Sequence, residues 1–409
     1  MKISIIIPTR ERAEYLRYSI QTALEINDDN LEIVICNNAS QDNTEEVVKS
    51  FSDPRIRYVN TGTRISMREN FNRALHESSG EYVIFFGDDD GIVPGQFKYL
   101  RQLLEAHRPD GISWNRATYG WPIKGYGKKT GGIRFYKNST YGTPYLYNPN
   151  TKNIDALMGC RLGQLFPVTP NIYHGCVSRA YLDKMAPSKD IYFDSTIPDV
   201  NFEFRTILAG GNFMHANHPF SINGYSPAST GGAHNNNAPD APGAKAGKAF
   251  VAENKTDPLQ DVMDHALTIP MVFFSTLETV IQRMRYTDRT PNYVRWYQYG
   301  LTARLGNPDR AARITEILTE HAARTGTQEQ LAAAENMPPK PKRTLKERVS
   351  RVMSQAASFK VSAMKGNENT ILSAVQVCDD ILGCDYEAVL QNARSGKAAW
   401  KDARKRSKV

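Results

Sequence analysis

The sequence predicts an α/β fold: a mixed, mainly parallel sheet flanked by helices, followed by a mostly α-helical carboxy-terminal region. Three observations carry this. Apolar runs of strand length alternate with segments of helical periodicity over the first hundred residues. One of those runs, residues 82–86, ends in three consecutive acids, Asp88, Asp89 and Asp90. After Pro258 the apolar spacing turns helical almost throughout. The 409 residues exceed one ordinary domain. They divide into a sheet-bearing unit at 1–225, a linker or lid at 226–257 and a helical region at 258–409.

The elements follow in order. "ISIIIP" at 3–8 is continuously apolar, as in a strand covered on both faces. Residues 12–26 place Leu16, Ile20, Ala23 and Leu24 at helical spacing. "LEIVICN" at 31–37 is the next strand, and "SQDNTEEVVKSF" at 40–51 opens on capping residues and turns helical. "IRYVN" at 56–60 is a short strand, and residues 66–78 form a helix closed by Gly80. "EYVIFFG" at 81–87 then delivers the acids. Such a βαβαβαβ order builds a parallel sheet that binds ligands at the carboxyl ends of its strands. Residues 111–170, rich in Gly, Pro and aromatics, read as loops and short strands. "HGCVSRAYLDKM" at 174–185 returns to strand then helix, and "DVNFEFRTILAGG" at 199–211 is a helix stopped by two glycines. Residues 226–249 are small and polar, the composition of a linker or a mobile lid.

Composition narrows the class. Hydrophobic content of 40% and charged content of 23% are those of a soluble globular chain. No apolar stretch reaches membrane-spanning length, and the opening residues lack a leader pattern. Five scattered cysteines point to a reducing compartment, not a disulfide framework or a Cys-based zinc site. The expected location is the cytoplasm, with the inner face of a membrane as a place of peripheral attachment. The net charge of +8 is uneven, because residues 335–409 hold 15 Lys and Arg against 8 Asp and Glu. That excess suits an anionic partner at the basic tail, either an anionic membrane surface or nucleic acid. Leu345, Val349, Val352, Met353 and Phe359 form an apolar stripe with cations opposite, as on an interfacial helix. Residues 394–409 carry seven cations, one Asp and a single large apolar residue, Trp400, so they are expected to face solvent or a polyanion.

The acids set the chemistry. Adjacent carboxylates at a strand end repel one another unless a cation neutralises them. Mg²⁺ and Mn²⁺ take oxygen ligands and share them with substrate phosphates. Asp88 and Asp90 are spaced for one such ion; the alternative is an Asp-rich turn. At the end of the first strand, Pro8, Thr9 and Arg10 start a helix whose N–H groups can hold an anion, with Arg10 or Arg12 on phosphate. An ordinary cap with surface arginines is the alternative. Asn37 and Asn38 end the second strand, where an amide could read a nucleobase edge or simply make a turn. Asp199 precedes an apolar helix and suits an N-cap or a base. Glu203 lies one turn on, on the same face.

"ISIIIPTRERAEYLRYSIQTAL", "LEIVICNNASQDNTEEVV" and "RENFNRALHESSGEYVIFFGDDD", in this order, resemble the amino-terminal half of family 2 glycosyltransferases with the GT-A fold. The resemblance covers residues 1 to about 110 and continues through "GCVSRAYLD" and "DVNFEFRTILAGG" to about 225. It implies metal-dependent, inverting transfer from a nucleotide-diphosphate sugar, with UDP as the expected nucleotide. It places Pro8, Thr9, Arg10, Glu11, Asn37, Asn38, Arg68, Asp88 and Asp89 around the nucleotide sugar. It puts Asp88 and Asp90 on Mn²⁺ or Mg²⁺, and makes Asp199 the catalytic base, with Arg205 in the same helix motif. Asn38 departs from the pattern, standing where an acid usually touches the base. His174, Trp114, Trp121, Glu203 and Arg205 are the expected acceptor side. The acceptor is expected to be a saccharide or a lipid-linked glycan. A hydroxymethylated base in DNA is the alternative, with the tail on phosphates and Trp114, Tyr119, Trp121, Tyr126 or Tyr136 stacking an extruded base. A sugar-binding module without activity is the non-enzymatic alternative, against which stand Asp88, Asp90 and Asp199.

Overall fold

The computed structural model describes residues 1–122, 131–165, 168–226, 244–305, 308–337 and 357–408. Strand β1 (Ile3–Thr9) lies at the centre of the main sheet because it pairs in parallel with both β2 (Leu31–Asn37) and β4 (Tyr82–Phe85). β3 (Ile56–Asn60) extends that parallel half beyond β2. Helices cover both faces, which is why β1 and β2 are apolar along their length instead of alternating. The helix Met67–His76 starts on a full capping box, with Ser66 and Glu69 satisfying each other's backbone N–H groups.

Beyond β4 the sheet becomes mixed. β10 (Gly175–Ser178) runs antiparallel between β4 and β6 (Gly111–Trp114). β11 (Phe213–Ala216) follows parallel to β6, and β9 (Tyr145–Tyr147) closes the edge. The eight-stranded order is β3-β2-β1-β4-β10-β6-β11-β9. A second sheet stands beside it in the order β13-β8-β7-β12-β5. Its strands are β5 (Gly91–Ile92), β7 (Ala117–Gly120), β8 (Gly132–Tyr136), β12 (Ser221–Tyr225) and β13 (Ser358–Ser362).

The helical region expected at 258–409 divides in two. Helices between Ile269 and Glu335 build their own core around Phe274, Trp296, Tyr297 and Leu318, seated on Leu157 and Phe204. Residues 358–408 return to the first core. There β13 pairs with β8, and the helix Ile371–Leu382 buries Ile371, Val375 and Cys378. The terminal helix Gly396–Arg406 buries Ala399, Trp400 and Ala403, and the Trp400 ring lies 4.8 Å from that of Phe359. This corrects the expectation of a solvated tail. Its few apolar residues sit one helical turn apart and form a single stripe, while Arg394 and Arg406 are ion-paired with Asp385. Residues 227–243 of the expected lid, 344–356 of the expected interfacial stripe, and Tyr126 lie outside the described residues. Among the described residues no helix is long and apolar enough to cross a membrane.

Trp400→Ala is expected to cost about 3–5 kcal/mol, as for other large aromatic truncations in a core. Urea denaturation of the full chain checks this; an unchanged midpoint would detach the terminal helix from the core.

Candidate active site

The acids lie just past the carboxyl end of β4, beside the carboxyl end of β1, and each meets different neighbours. Asp88 accepts a hydrogen bond from Thr9 Oγ1 at 2.7 Å and one from Arg12 Nη1 at 2.9 Å. Burial opposes the Arg12 charge, but Asp88 and Asp89 outweigh it and raise the guanidinium above its usual range. Asp89 accepts from Ser226 Oγ at 2.5 Å, while its backbone carbonyl takes the Trp121 indole N–H at 3.0 Å. Burial, and then the neighbouring Asp90, push the Asp89 carboxyl up to about 7.

Asp90 is the most heavily engaged of the three. Its Oδ1 accepts from Gly224 N at 2.7 Å and Asn223 Nδ2 at 3.1 Å. Its Oδ2 accepts from Tyr173 Oη at 2.6 Å and Gly87 N at 2.8 Å. His174 Nε2 lies 3.1 Å from the same oxygen, within ion-pair distance but off the hydrogen-bonding direction. Burial would raise the Asp90 carboxyl, yet His174, Tyr173 and Gly224 together hold it well below the usual range. Gly224 is required for this approach, because a Cβ there would meet the Asp89 carbonyl at 1.8 Å.

Tyr173 and His174 join this cluster to the helix Pro198–Ala209. His174 has φ of 52°, an uncommon conformation for a residue with a side chain, and its N–H donates to Phe85 O at 2.9 Å. Gly175 lets the turn close, since a Cβ would meet Asn171 O at 1.9 Å. His174 Nδ1 is 2.8 Å from Ser221 Oγ. Asp199 is close enough to Tyr173 and His174 to act on the ionisation of both. It sits in the first turn of its helix and is half-buried; the N-cap is Ile197, not Asp199. Burial raises the Asp199 carboxyl. Glu203, one turn on, is buried, accepts from the Thr169 hydroxyl and is raised further, by burial and by Asp199. Exposed Arg116 acts electrostatically on Asp199, Glu203 and His174 alike.

The expected nucleotide corner is present as backbone. Pro8 and Thr9 end β1, and Glu11 turns the chain at φ of 53°. Glu11 accepts from Gln41 N at 2.9 Å and Asp42 N at 3.1 Å and pairs with Arg64. Asn37 is spent on Tyr58 Oη at 2.9 Å and Ser40 N at 3.0 Å. Asn38 holds both polar groups of Ile65, its carbonyl at 2.8 Å and its N–H at 3.0 Å. Two arginines meet carboxylates from far along the chain. Arg10 pairs with Glu253 on the helix Ala244–Asn254. Arg68, 4% exposed, forks onto Asp257 at 2.6 and 2.8 Å, and Ser66 donates to the same carboxylate.

The expected acceptor side divides. His174 and Glu203 lie by the acids, whereas Trp114, Trp121 and Arg205 do not present free faces. Trp114 and Trp121 are buried in the first core, the former bonded to Ser221 Oγ at 2.8 Å and the latter packed on Tyr15. Tyr119 is buried with them, so these rings cannot stack an extruded base. Their Gly- and Pro-rich surroundings suggested loops, but alternate residues of β7 face inward. Arg205 is buried, donates to Tyr192 O at 2.8 Å and has its ionisation lowered by burial.

Among the described residues no group of three or more His, Cys, Asp and Glu could hold a metal ion by itself. The chemistry of the acids fits a different arrangement from the expected pair of ligands. Donors fill the lone pairs of Asp90, which makes it an anchor of the fold. Asp88 takes one donor on each oxygen and keeps a lone pair on each, as suits an ion held by one carboxylate together with substrate phosphates. The residues missed by sequence reasoning are Tyr173, Asn223, Ser226, Arg116, Glu253 and Asp257. Only Tyr173 had a visible signal, as the neighbour of His174.

Residues 4–166 match the family described as "Glycosyl transferase family 2". A GalNAc(5)-diNAcBac-PP-undecaprenol beta-1,3-glucosyltransferase of Campylobacter jejuni is 34% identical over 104 residues, which is 25% of this chain and 34% of the relative. Abequosyltransferase RfbV of Salmonella typhimurium is 31% identical over 112 residues, 26% of this chain and 33% of the relative. The chain thus spans about a third of the length of these curated relatives. Among solved structures, S. aureus TarS residues 1–349 with UDP is 16% identical at a TM-score of 0.44, covering 82% of this chain and 90% of that one.

Arg68→Ala is expected to destabilise the chain by about 3–5 kcal/mol, because it leaves Asp257 buried and unpaired. Arg68→Ala combined with Asp257→Ala should recover part of that loss. Urea midpoints of Arg68→Ala, Asp257→Ala and the double variant decide it; single losses that simply add in the double variant would mean the pair does not interact.

Proposed function

We propose, from the match of residues 4–166, that the chain is a family 2 glycosyltransferase with a GT-A-like fold, and that it moves a glycosyl group from a nucleotide-diphosphate sugar to an acceptor hydroxyl. The observation that carries this reading is the link from Asp90 through Tyr173 and His174 to Asp199. It sets the strand-end acids beside a half-buried carboxylate of raised basicity. The body of the enzyme is taken to be residues 1–226 with 358–408, which share one core.

The donor's nucleotide lies along the backbone of Pro8–Glu11 and of Asn37–Asn38, since the amide groups of both asparagines are already engaged. UDP is the expected nucleotide. Asp88 holds Mn²⁺ or Mg²⁺ together with the diphosphate. A divalent ion there supplies neutralisation of the charge that grows on the leaving group. Asp199 takes the proton of the acceptor hydroxyl as its oxygen attacks the anomeric carbon, and a single displacement inverts that centre. Glu203 is the weaker candidate for the base, because its burial and the neighbouring Asp199 favour the neutral acid. The names of the relatives describe glucosyl and abequosyl transfer, one of them to a lipid-diphosphate-linked saccharide, and a saccharide acceptor is adopted here.

A screen of UDP-, GDP- and dTDP-sugars for nucleotide release, with and without Mn²⁺, tests the reading. No release from any donor would sink it.

Asp88→Asn is expected to weaken Mn²⁺-dependent nucleotide binding at least about tenfold by calorimetry, the loss of one charge-assisted contact. Full retention of affinity would remove Asp88 from the ion.

Asp199→Asn should keep donor affinity and lose transfer by about a hundredfold or more, the scale of a missing general base. Wild-type turnover in Asp199→Asn, with loss in Glu203→Gln, would transfer the role to Glu203.

A further inference from the structure

The second sheet turns one face to the core and the other toward the acids. Tyr119, Ile133, Phe135 and Ile222 are buried on the inner face. Alternation puts Asn223, Thr118, Arg134 and Lys360 on the opposite face. These four residues are in register across β12, β7, β8 and β13. The row begins at the active site, because Asn223 Nδ2 is 3.1 Å from Asp90 Oδ1. It ends three strand spacings away, about 14 Å, at a pair of cations. The adjacent row starts with Tyr225, 50% exposed, opposite Gly120 on β7. Gly132 on β8 continues that row, so the floor beside Tyr225 carries no side chains of its own. Lys360 lies over it, since a Cβ on Gly132 would come within 3.1 Å of Lys360 Nζ.

We propose that this face is the acceptor subsite and that the acceptor is a saccharide bearing a phosphate group, held by Arg134 and Lys360 while a sugar ring stacks on Tyr225. The inference rests on the glycosyl-transfer reading above and adds the chemical class of the acceptor. An exposed aromatic beside a floor of two glycines, with the Lys360 side chain over Gly132, fits the flat apolar face of a sugar and a charged substituent next to it. Arg134 and Lys360 sit opposite each other on neighbouring strands, and a phosphate between them meets both charges. Arg134 Nη1 donates to Ser358 Oγ at 2.9 Å, which aims the guanidinium along the sheet face. Two cations and one ring suit a single phosphate in a short acceptor. A nucleic-acid backbone calls for a longer series of phosphate contacts. β13 comes from the far end of the chain, so the carboxy-terminal segment completes the subsite.

The test uses the full chain and calorimetry with three probes: a hexose, the same hexose 1-phosphate, and a duplex DNA dodecamer. The hexose 1-phosphate should bind at least about tenfold more tightly than the hexose, the worth of a charge-assisted pair. Arg134→Gln with Lys360→Gln should abolish that gain, and Arg134→Lys with Lys360→Arg should keep it. Tyr225→Ala should weaken both sugars alike. Nucleotide affinity should be unchanged in all of these variants. No gain from the phosphate, or a gain that survives the double Gln variant, overturns the proposal. DNA binding tighter than the sugar phosphate, and lost in the double Gln variant, overturns it in favour of a nucleic-acid surface. If instead no nucleotide binds to the wild-type chain, the failure lies in the glycosyl-transfer reading.

Discussion

The carboxylate of Asp90 is where the separate parts of the fold meet. Its donors come from Gly87 after β4, from Asn223 and Gly224 on β12, and from Tyr173 in the turn before β10, with His174 alongside. Those groups belong to the parallel half of the main sheet, its antiparallel half and the second sheet. A buried charge is tolerated only when its lone pairs are filled. Meeting that demand forces the three parts into one arrangement. The glycine at 224 follows from the same demand, since its N–H reaches Asp90 only where a Cβ would meet the Asp89 carbonyl.

With Asp90 anchored in this way, Asp88 is the acid that keeps a lone pair open on each oxygen. Asp88 faces Thr9 and Arg12 at the end of β1, the side on which a diphosphate would lie. Arg10, which the sequence offers to phosphate, and Arg68, which the resemblance places at the nucleotide sugar, are already neutralised by Glu253 and Asp257. An anion arriving at this corner therefore meets backbone N–H groups and the Arg12–Asp88 pair, and must compete with Glu253 for Arg10. On the function proposed above, phosphate recognition is shared between main chain and Asp88, while the buried Arg68–Asp257 fork holds the segment after the helix Ala244–Asn254 against the helix Met67–His76.

What could be read in the sequence follows from the range of the interactions. β1, β2 and β4 are legible because strands covered on both faces are continuously apolar, and the acids are legible because charge at the end of such a run needs a reason. Arg68 and Asp257 lie 189 residues apart, and nothing local in either segment signals the other. The terminal helix was hidden by composition. Its many cations read as solvated, while the buried stripe of Ala399, Trp400 and Ala403 is too narrow to stand out. Trp114 and Trp121 misled for a related reason: glycine and proline around them imitate a loop, but Trp114 ends a strand buried on both faces and Trp121 packs on Tyr15 and Tyr119.

The choice of base turns on burial, because Asp199 and Glu203 share a helix face. A base must be ionised before it acts, and its basicity must approach that of its surroundings. Burial raises both carboxyls, and Asp199 raises Glu203 further. Thr169 closes over Glu203, which stays the more deeply buried of the two. Asp199 keeps a half-open position in the first helical turn, where the helix dipole favours a negative charge. Arg116 and His174 favour the same charge. The helix thus offers two carboxyls of unequal standing: Glu203, enclosed and raised well above the usual range, and Asp199, half-open and within electrostatic reach of Tyr173 and His174.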